Sequence, residues 1–457
     1  MTNPSVRPSK PLSWLRAVAL DRKETFSWAI YDWANSAFAT TIIATVLPIY
    51  YASVAASDLA PNVASAYWGY TTSIALLLIA LVAPILGAMA DFMGAKKRFM
   101  AFFVITGVIF TALLYFVSEG DWLFASAIFI VANMGFSGAN VFYDSLLPHI
   151  ASEEEVDKLS TSAYALGYLG GGILLVINLF WIVEPETFGI ADTQTASRLS
   201  MLSVAIWWAI FSVPIFRNVS EPPRRMANTD QLDMNPLQAG FGRLRRTITK
   251  IRQYRQLLIF LIAFLFYNDG IGTIIKMATI YGTEIGIGQT DLIGALVLTQ
   301  FAGIPFAFAF GWLANVIGVK RSIYLALIIY TFISIAGYFM SEAWHFWGLA
   351  FAVATVQGGS QGLSRSVYSS MVPRSQSSEF FAFFSVSAKF AGILGPILFA
   401  VISQLAGSSR LSIVALLVFF VGGIMILSQV DIEEGQRVAQ EEDGNFQDAQ
   451  EGIRNQG

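Results

Sequence analysis

Twelve predominantly apolar stretches dominate this 457-residue chain. Each comes close to the roughly 20 residues that an α-helix needs to cross a bilayer. They run 27–51, 68–90, 99–117, 122–147, 160–182, 200–216, 257–281, 291–313, 322–340, 345–368, 380–403 and 411–429, numbered here as spans one to twelve. Only 13% of the residues are charged, against roughly 25% in soluble domains, so lipid is the solvent to which the chain is matched. The fold class that follows is an all-α integral membrane protein. The segment 1–26 is too polar for a signal peptide, which leaves insertion to span one itself. Cys is absent, which excludes disulfides, thiolate metal sites and Cys nucleophiles. The two histidines, His149 and His345, fall in expected loops on opposite sides of the membrane, so no His-based metal site and no cofactor is implied.

The basic residues orient the chain. With both termini in the cytoplasm, every Lys and Arg outside the spans except Arg198 and Arg410 lies on the cytoplasmic side, as the positive-inside rule requires. Trp68, Trp122, Trp181, Trp344 and Trp347 fall near the outer ends of spans, where an aromatic belt is expected. The organisation read from this pattern is a cytoplasmic N-terminal segment (1–26), a six-helix bundle (27–216), a basic connector (217–256), a second six-helix bundle (257–430) and an acidic, disordered tail (431–457). Within the connector, Leu237, Phe241, Leu244, Ile248 and Ile251 recur at helical spacing with arginines between them. That pattern is expected of an amphipathic helix lying on the inner leaflet and tying the halves together.

The halves repeat. Gly87-x-x-x-Asp91-x-x-Gly94-x-Lys96-Lys97-Arg98 returns as Gly311-x-x-x-Asn315-x-x-Gly318-x-Lys320-Arg321, at an offset of 224 residues. Tyr143-Asp-Ser-Leu-Leu-Pro148 returns as Tyr368-Ser-Ser-Met-Val-Pro373, and Gly171-Gly-Ile-Leu as Gly395-Pro-Ile-Leu. Parallel repeats of this kind relate two bundles by an axis along the membrane normal, an arrangement that suits a transporter whose halves rock about a central site. The polar residues inside spans agree. Span four carries Asn133, Ser137, Asn140 and Asp144 on one helix face, and span ten carries Gln357, Gln361, Ser364 and Tyr368 in the same register. Span one adds Asp32, Asn35, Ser36 and Thr40, and span seven adds Asp269, Thr273 and Lys276. Spans one, four, seven and ten are therefore expected around a hydrated cavity, and spans three, six, nine and twelve at the lipid-facing periphery.

The duplicated loops resemble the signature loop of the major facilitator superfamily. The opening Trp28-Ala-Ile-Tyr-Asp32-Trp-Ala-Asn35-Ser-Ala-Phe-Ala-Thr-Thr, with Tyr143-Asp-Ser-Leu-Leu-Pro148, resembles the UMF1 family, relatives of the autophagy-related vacuolar effluxer Atg22. The resemblance implies twelve helices in two pseudo-symmetric bundles, a cavity lined by helices one, four, seven and ten, alternating access, and, from the fungal branch, amino acids as one substrate class. Phe92 and Ala95 stand where the superfamily loop commonly has basic residues, and Asn315 replaces the acid in the second copy.

Ionisable residues inside a membrane are functional candidates by default. The expected solute and ion pathway comprises Asp32, Asn35, Asn133, Asn140, Asp144, Asp269, Lys276, Gln357, Gln361, Arg365 and Lys389. Lys389 and Lys276 are read as positive charges for an anionic group of the solute, and Asp269 or Asp32 as the proton site. Asp32, Asp144 and Arg365 lie nearer the cytoplasmic ends, where gate pairs are an equal alternative. Gly87, Asp91, Gly94, Lys96, Lys97 and Arg98, with Gly311, Asn315, Gly318, Lys320 and Arg321, are read as a conformational latch. The function read from this pattern is secondary active transport of a small polar solute, coupled to protons, by a monomer in the cell membrane. A lipid flippase and a non-transporting sensor or scaffold are the alternatives. No enzyme motif stands out, and the basic residues follow topology, which disfavours nucleic acid.

Overall fold

In the computed structural model the apolar stretches are helices throughout. Residues 15–16, 19–151, 153–221, 252–373, 380, 384, 387–388 and 390–454 are described; the side chains of 84–85, 87–89, 91–93, 148, 153–154, 156–158 and 444–454 are not. Span one is one long helix, Lys23–Ala55, widened to π-helical turns at Phe38–Thr45 and Tyr51–Ala55. It is followed by Pro61–Met93, Lys96–Leu113, Trp122–Ile150, Glu153–Val183 and Thr193–Asn218, spans two to six. The second half holds Arg255–Glu284, Gln289–Ile317, Val319–Tyr338 and Ala343–Ser370, spans seven to ten. Span eleven is described over Leu394–Ala406, and span twelve is Arg410–Ala415 with Leu417–Ser428.

Among the described residues, ten helices are long and apolar enough to cross a membrane. Span ten, with Gln357, Gln361, Ser364 and Arg365, and the described part of span eleven are the other two members of the set. Most helices run past the apolar stretches, because their end turns carry polar side chains that still favour helix. The two tails and the connector emerge on one face, here called the terminal face; the other is the distal face.

Burial separates the inner helices from the outer ones. Of the apolar stretch of span one, 72% is buried, against 33% in span three and 39% in each of spans six, nine and twelve. The latter four are peripheral, as expected, and expose Phe102, Ile105, Ile210, Phe332 and Met425 where lipid would lie. Span eight is equally outward, with 22% buried. Each half has its own apolar core. The first core continues across the distal side into Met277, Ile280, Tyr281, Leu292, Phe346 and Ile413 of the second half. Span two packs along span eleven, and span five along span eight.

The duplicated loops are built alike. Gly94 (φ +61°) ends span two and Gly318 (φ +90°) ends span eight. Both need the left-handed backbone that glycine alone adopts freely. The lysines that follow close the neighbouring helices. Lys97 Nζ donates to the carbonyls of Phe216, at 3.0 Å, and Val219 at the end of span six. Lys320 Nζ donates to those of Ser428, at 3.3 Å, and Val430, at 2.5 Å, at the end of span twelve. An ammonium at a helix C-terminus satisfies orphan carbonyls and meets the negative end of the dipole. On the distal face Asp192 caps span six, accepting from Thr195 N at 2.6 Å. That backbone bond holds its carboxyl below the usual carboxylate range.

Several expectations are corrected. The tail read as disordered is helical over Ile432–Arg454. Its first turns pack Ile432 and Val438 against the second core, and Gly435 lies against Met371 and Gln256. Trp68 is not in an aromatic belt: it is fully buried and packs on Tyr51 and Phe129. His149 lies in the last turn of span four and His345 in the first turn of span ten, not in loops. The amphipathic pattern at 237–251 lies outside the described residues.

If the two lysines close spans six and twelve, Lys97→Met and Lys320→Met each cost about 1 kcal/mol of stability. Thermal unfolding in detergent should show a lower midpoint for both and none for Arg98→Met, whose parent side chain is exposed. Equal midpoints for all three would show that capping is not their role.

Candidate functional site

Spans one and four are locked together by their polar stripes. Asn35 Nδ2 donates to Asn140 Oδ1 at 2.8 Å. Trp28 stacks on Tyr143 at 4.3 Å and donates from Nε1 to its carbonyl at 3.0 Å. Asn133 and Ser137 are buried in the same seam. Near the terminal end of that seam, the carboxylates of Asp32 and Asp144 act on each other electrostatically. Tyr164 of span five lies within electrostatic reach of both acids and of Arg365 from span ten. Arg365 Nη1 donates to Ser160 Oγ at 2.8 Å, crossing between the halves. Asp144 and Gln361 are exposed here.

A second constellation joins span seven to span eleven. The backbone is broken at 391–393, where Gly392 has φ +112°. Asp269 accepts from Leu394 N at 3.1 Å and Gly395 N at 2.9 Å, at the start of the outer half-helix. Lys276, two turns further along span seven, donates to Gly392 O at 3.2 Å. The carboxylate meets the positive end of a helix and the ammonium a carbonyl at the break, so both charges are matched to backbone dipoles. Gly395 is required: a Cβ there would collide with Thr273 Oγ1 and stand 2.8 Å from Asp269 Oδ1. Span two docks on this joint, Trp68 Nε1 donating to Lys276 O at 3.1 Å and Ser73 Oγ to Ile393 O at 3.1 Å.

The distal face is closed by hydrogen bonds between the halves. Glu284, at the end of span seven, accepts from Ser65 Oγ of the first half at 2.5 Å and from Ser409 N of its own half at 3.0 Å. Ser403 Oγ donates to Asn62 O at 3.0 Å, Tyr70 to Gln404 Oε1 at 2.9 Å, and Thr279 to Ala44 O at 2.8 Å.

Between the halves lies a cavity of about 320 Å³. Spans one, five, seven, eight, nine, ten and twelve line it; span four, expected there, does not. Its wall is mainly apolar, with Ile274, Leu296, Met340, Phe346 and Val353 among its members, and among the described residues it includes no charged side chain. Of the expected pathway residues Gln357 alone lines it. Lys276 is turned toward span eleven, and Asn35 and Asn140 bond each other, because each finds a closer polar partner on a neighbouring helix. Lys389 lies outside the described residues, as do the side chains of Gly87 and Asp91. In the loops, Lys96 reaches Ser145 O and His149 Nε2 at 3.4 Å. Gly311 has open space around it and does not serve close helix approach. Asn315 and Arg321 are exposed. Sequence reasoning missed Gln300, Thr299 and Tyr168 in the cavity wall. Gln300 carried a signal, being a lone carboxamide in the apolar run Leu296–Pro305 of span eight.

A family model described as "Vacuole effluxer Atg22 like" matches residues 59–440. The uncharacterized MFS-type transporter YxiO of Bacillus subtilis is 39% identical over 429 residues, 92% of this chain and 97% of that one. Autophagy-related protein 22 of Yarrowia lipolytica is 24% identical, over 81% of this chain and 76% of its own length. Among solved structures, the inward-open xylose transporter XylE from E. coli superposes with a TM-score of 0.64 at 13% identity, covering 91% of this chain and 98% of its own. An inward-facing bacterial homologue of the human lysosomal transporter Spinster gives 0.60 at 14% identity, covering 95% and 99%. These two likenesses carry the fold: two bundles of the major facilitator type.

Asp269 is nearly fully buried, so loss of one of its two backbone bonds is costly. Asp269→Asn retains one acceptor and sets an amide N–H against a backbone N–H, which costs about 1–3 kcal/mol. Its thermal midpoint in detergent should fall below that of Asp144→Asn, whose parent side chain is exposed; the reverse order would refute the capping role.

Proposed function

The chain belongs to the Atg22-like vacuole effluxer family and is an MFS-type transporter, and on that premise we propose that it carries a small polar solute by alternating access, coupled to protons. The observation that carries this reading is the asymmetry of the halves' contact. Hydrogen bonds close the distal face around Glu284, whereas Asp144 and Gln361 are exposed toward the terminal face. A central cavity reached from one face at a time is what rocking bundles produce.

The residues take these roles in the proposal. Asp32 and Asp144 form the proton site, since a half-buried carboxylate beside a second one that is open to the terminal face is suited to exchanging a proton. Arg365, with Tyr164 beside it, offers positive charge to an anionic group of the solute, in place of Lys276. Lys389 stays a candidate for the same task from span eleven. Gln357 and Gln361 supply hydrogen bonds, and Asn35 with Asn140 holds the seam behind the acids. Asp269 and Lys276 serve the broken helix, and the loop lysines serve helix ends. A group of acids and an arginine suits a solute with both signs of charge, so amino acids are the first class to test. The distribution of Lys and Arg supports a cell-membrane protein with both termini in the cytoplasm. One chain completes the cavity, which supports a monomer as the working unit.

The test is uptake of a labelled amino-acid panel by proteoliposomes, with and without an imposed pH gradient. Gradient-driven accumulation should appear for at least one member. In Asp32→Asn and Asp144→Asn the gradient's stimulation should fall at least tenfold while exchange at equal pH persists. Stimulation unchanged in both variants would sink the coupling assignment; no flux for any amino acid would remove that solute class.

A further inference from the structure

Nine buried side-chain N or O atoms have no hydrogen-bond partner among the described residues: those of Tyr31, Trp33, Thr41, Asn133, Tyr143, Asn178, Trp208, Gln300 and Tyr330. Only Gln300 among these residues also lines the central cavity. Four of the eight other polar side chains of the wall bond to backbone carbonyls. Thr40 donates to Ser36 O at 3.1 Å, Ser334 to Tyr330 O at 3.0 Å, Tyr281 to Gly337 O at 2.9 Å, and Thr299 to Ala295 O at 2.9 Å. The Gln300 side chain stands beside Gln357 and Tyr168, at a small recess that all three share. The apolar part of the cavity wall, here called its apolar arm, includes Ile333, Met340, Phe346 and Ile413 from spans nine, ten and twelve.

We propose that Gln300 is the residue that selects the solute, hydrogen-bonding an uncharged polar group, an amide or hydroxyl, that carries an apolar body lying in this arm. A buried carbonyl oxygen without a partner carries a desolvation cost that a ligand donor removes. The carboxamide also has two N–H donors, so it matches a group that both donates and accepts. Among the described residues the wall includes no charged side chain, which disfavours an ionised group at this position and leaves the solute's charges to the Asp32, Asp144 and Arg365 end. The inference rests on the cavity being the solute site of the proposed transporter, and it adds which part of the solute is read, and by which residue.

The chain has no Cys, so a single introduced thiol reports without background. Ser36→Cys, in the cavity wall, is labelled with N-ethylmaleimide in detergent, and protection is titrated with hexanamide and with methyl pentanoate, which has no N–H donor. With Gln300 present, hexanamide should protect at about tenfold lower concentration than the ester, the size expected of one buried hydrogen bond. In Gln300→Leu, which keeps the side-chain volume, that preference should shrink to about twofold or less. Ala39→Cys, also in the wall, replaces the reporter if Ser36→Cys does not fold. An unchanged preference in Gln300→Leu, no protection by either compound, or no labelling at either reporter would overturn the proposal. The readout needs no flux. A failure of the transport reading would show separately, as absent uptake with this protection intact.

Discussion

The joint between spans seven and eleven is the interaction on which the arrangement of the halves rests. A helix interrupted inside a membrane exposes orphan N–H groups on one side of the break and orphan carbonyls on the other. Each is costly where water cannot reach. Here one neighbouring helix supplies both remedies. Asp269 takes the N–H groups of Leu394 and Gly395, and Lys276 reaches the carbonyl of Gly392. The two charges are separated by the break and matched to it, so neither requires a direct ion pair with the other. Because Trp68 and Ser73 of span two bond to Lys276 O and Ile393 O, the first half rests on backbone that this joint holds in place.

The same physics recurs at the membrane surface in duplicate. Lys97 and Lys320 differ by one position in the register of the repeated loops, where Lys320 matches Lys96, yet each closes the carbonyl end of the last helix of its own half. The duplication is therefore kept in the capping chemistry as well as in the turn glycines Gly94 and Gly318. It fails at the charged position before the turn glycines, where Asn315 stands against Asp91. A lysine that holds a helix end within its own bundle stays satisfied whichever way the bundles tilt. That is a different duty from a latch that must break between states.

Helix number, the two-bundle division and the peripheral helices were legible in the sequence because they follow from hydropathy and from the 224-residue repeat, both properties of the chain taken locally. The polar stripes were legible as stripes, but not their partners. Asn35 and Asn140 share the spacing of cavity residues and bond each other, and no periodicity distinguishes a seam from a wall. The role of Asp269 depends on a helix break in another span, signalled only by Gly392 and by Gly395, which reads equally well as part of the repeat. The tail Ile432–Arg454 looked disordered because its composition is acidic. A few apolar residues, Ile432 and Val438 among them, suffice to dock its start on the second core. The cavity wall was least legible, since an apolar residue facing a cavity and one facing lipid are written alike.

The closed distal face has the energetics that alternating access requires. Its cross-contacts run through hydroxyls, amides and backbone carbonyls, with Glu284 as the one carboxylate named among them, bonded to two serines and not to a base. Such bonds contribute roughly 0.5–1.5 kcal/mol each when water can replace them, so a handful holds one state by only a few kcal/mol, the scale on which a protein can populate two conformations. A buried ion pair across the same seam would resist separation far more, because opening would leave one charge behind without its partner until water arrived. The described intramembrane charges instead keep mostly within one bundle. Asp269 and Lys276 bond to span eleven in the second, and Asp32 and Asp144 face each other in the first. Arg365, which bonds Ser160 across the halves, is the exception, and it sits near the terminal end, where opening admits water directly. Among the described residues, that distribution leaves the contact between the halves without an ion pair along most of its length and places Arg365 at one end of it, as the proposed alternating access would favour.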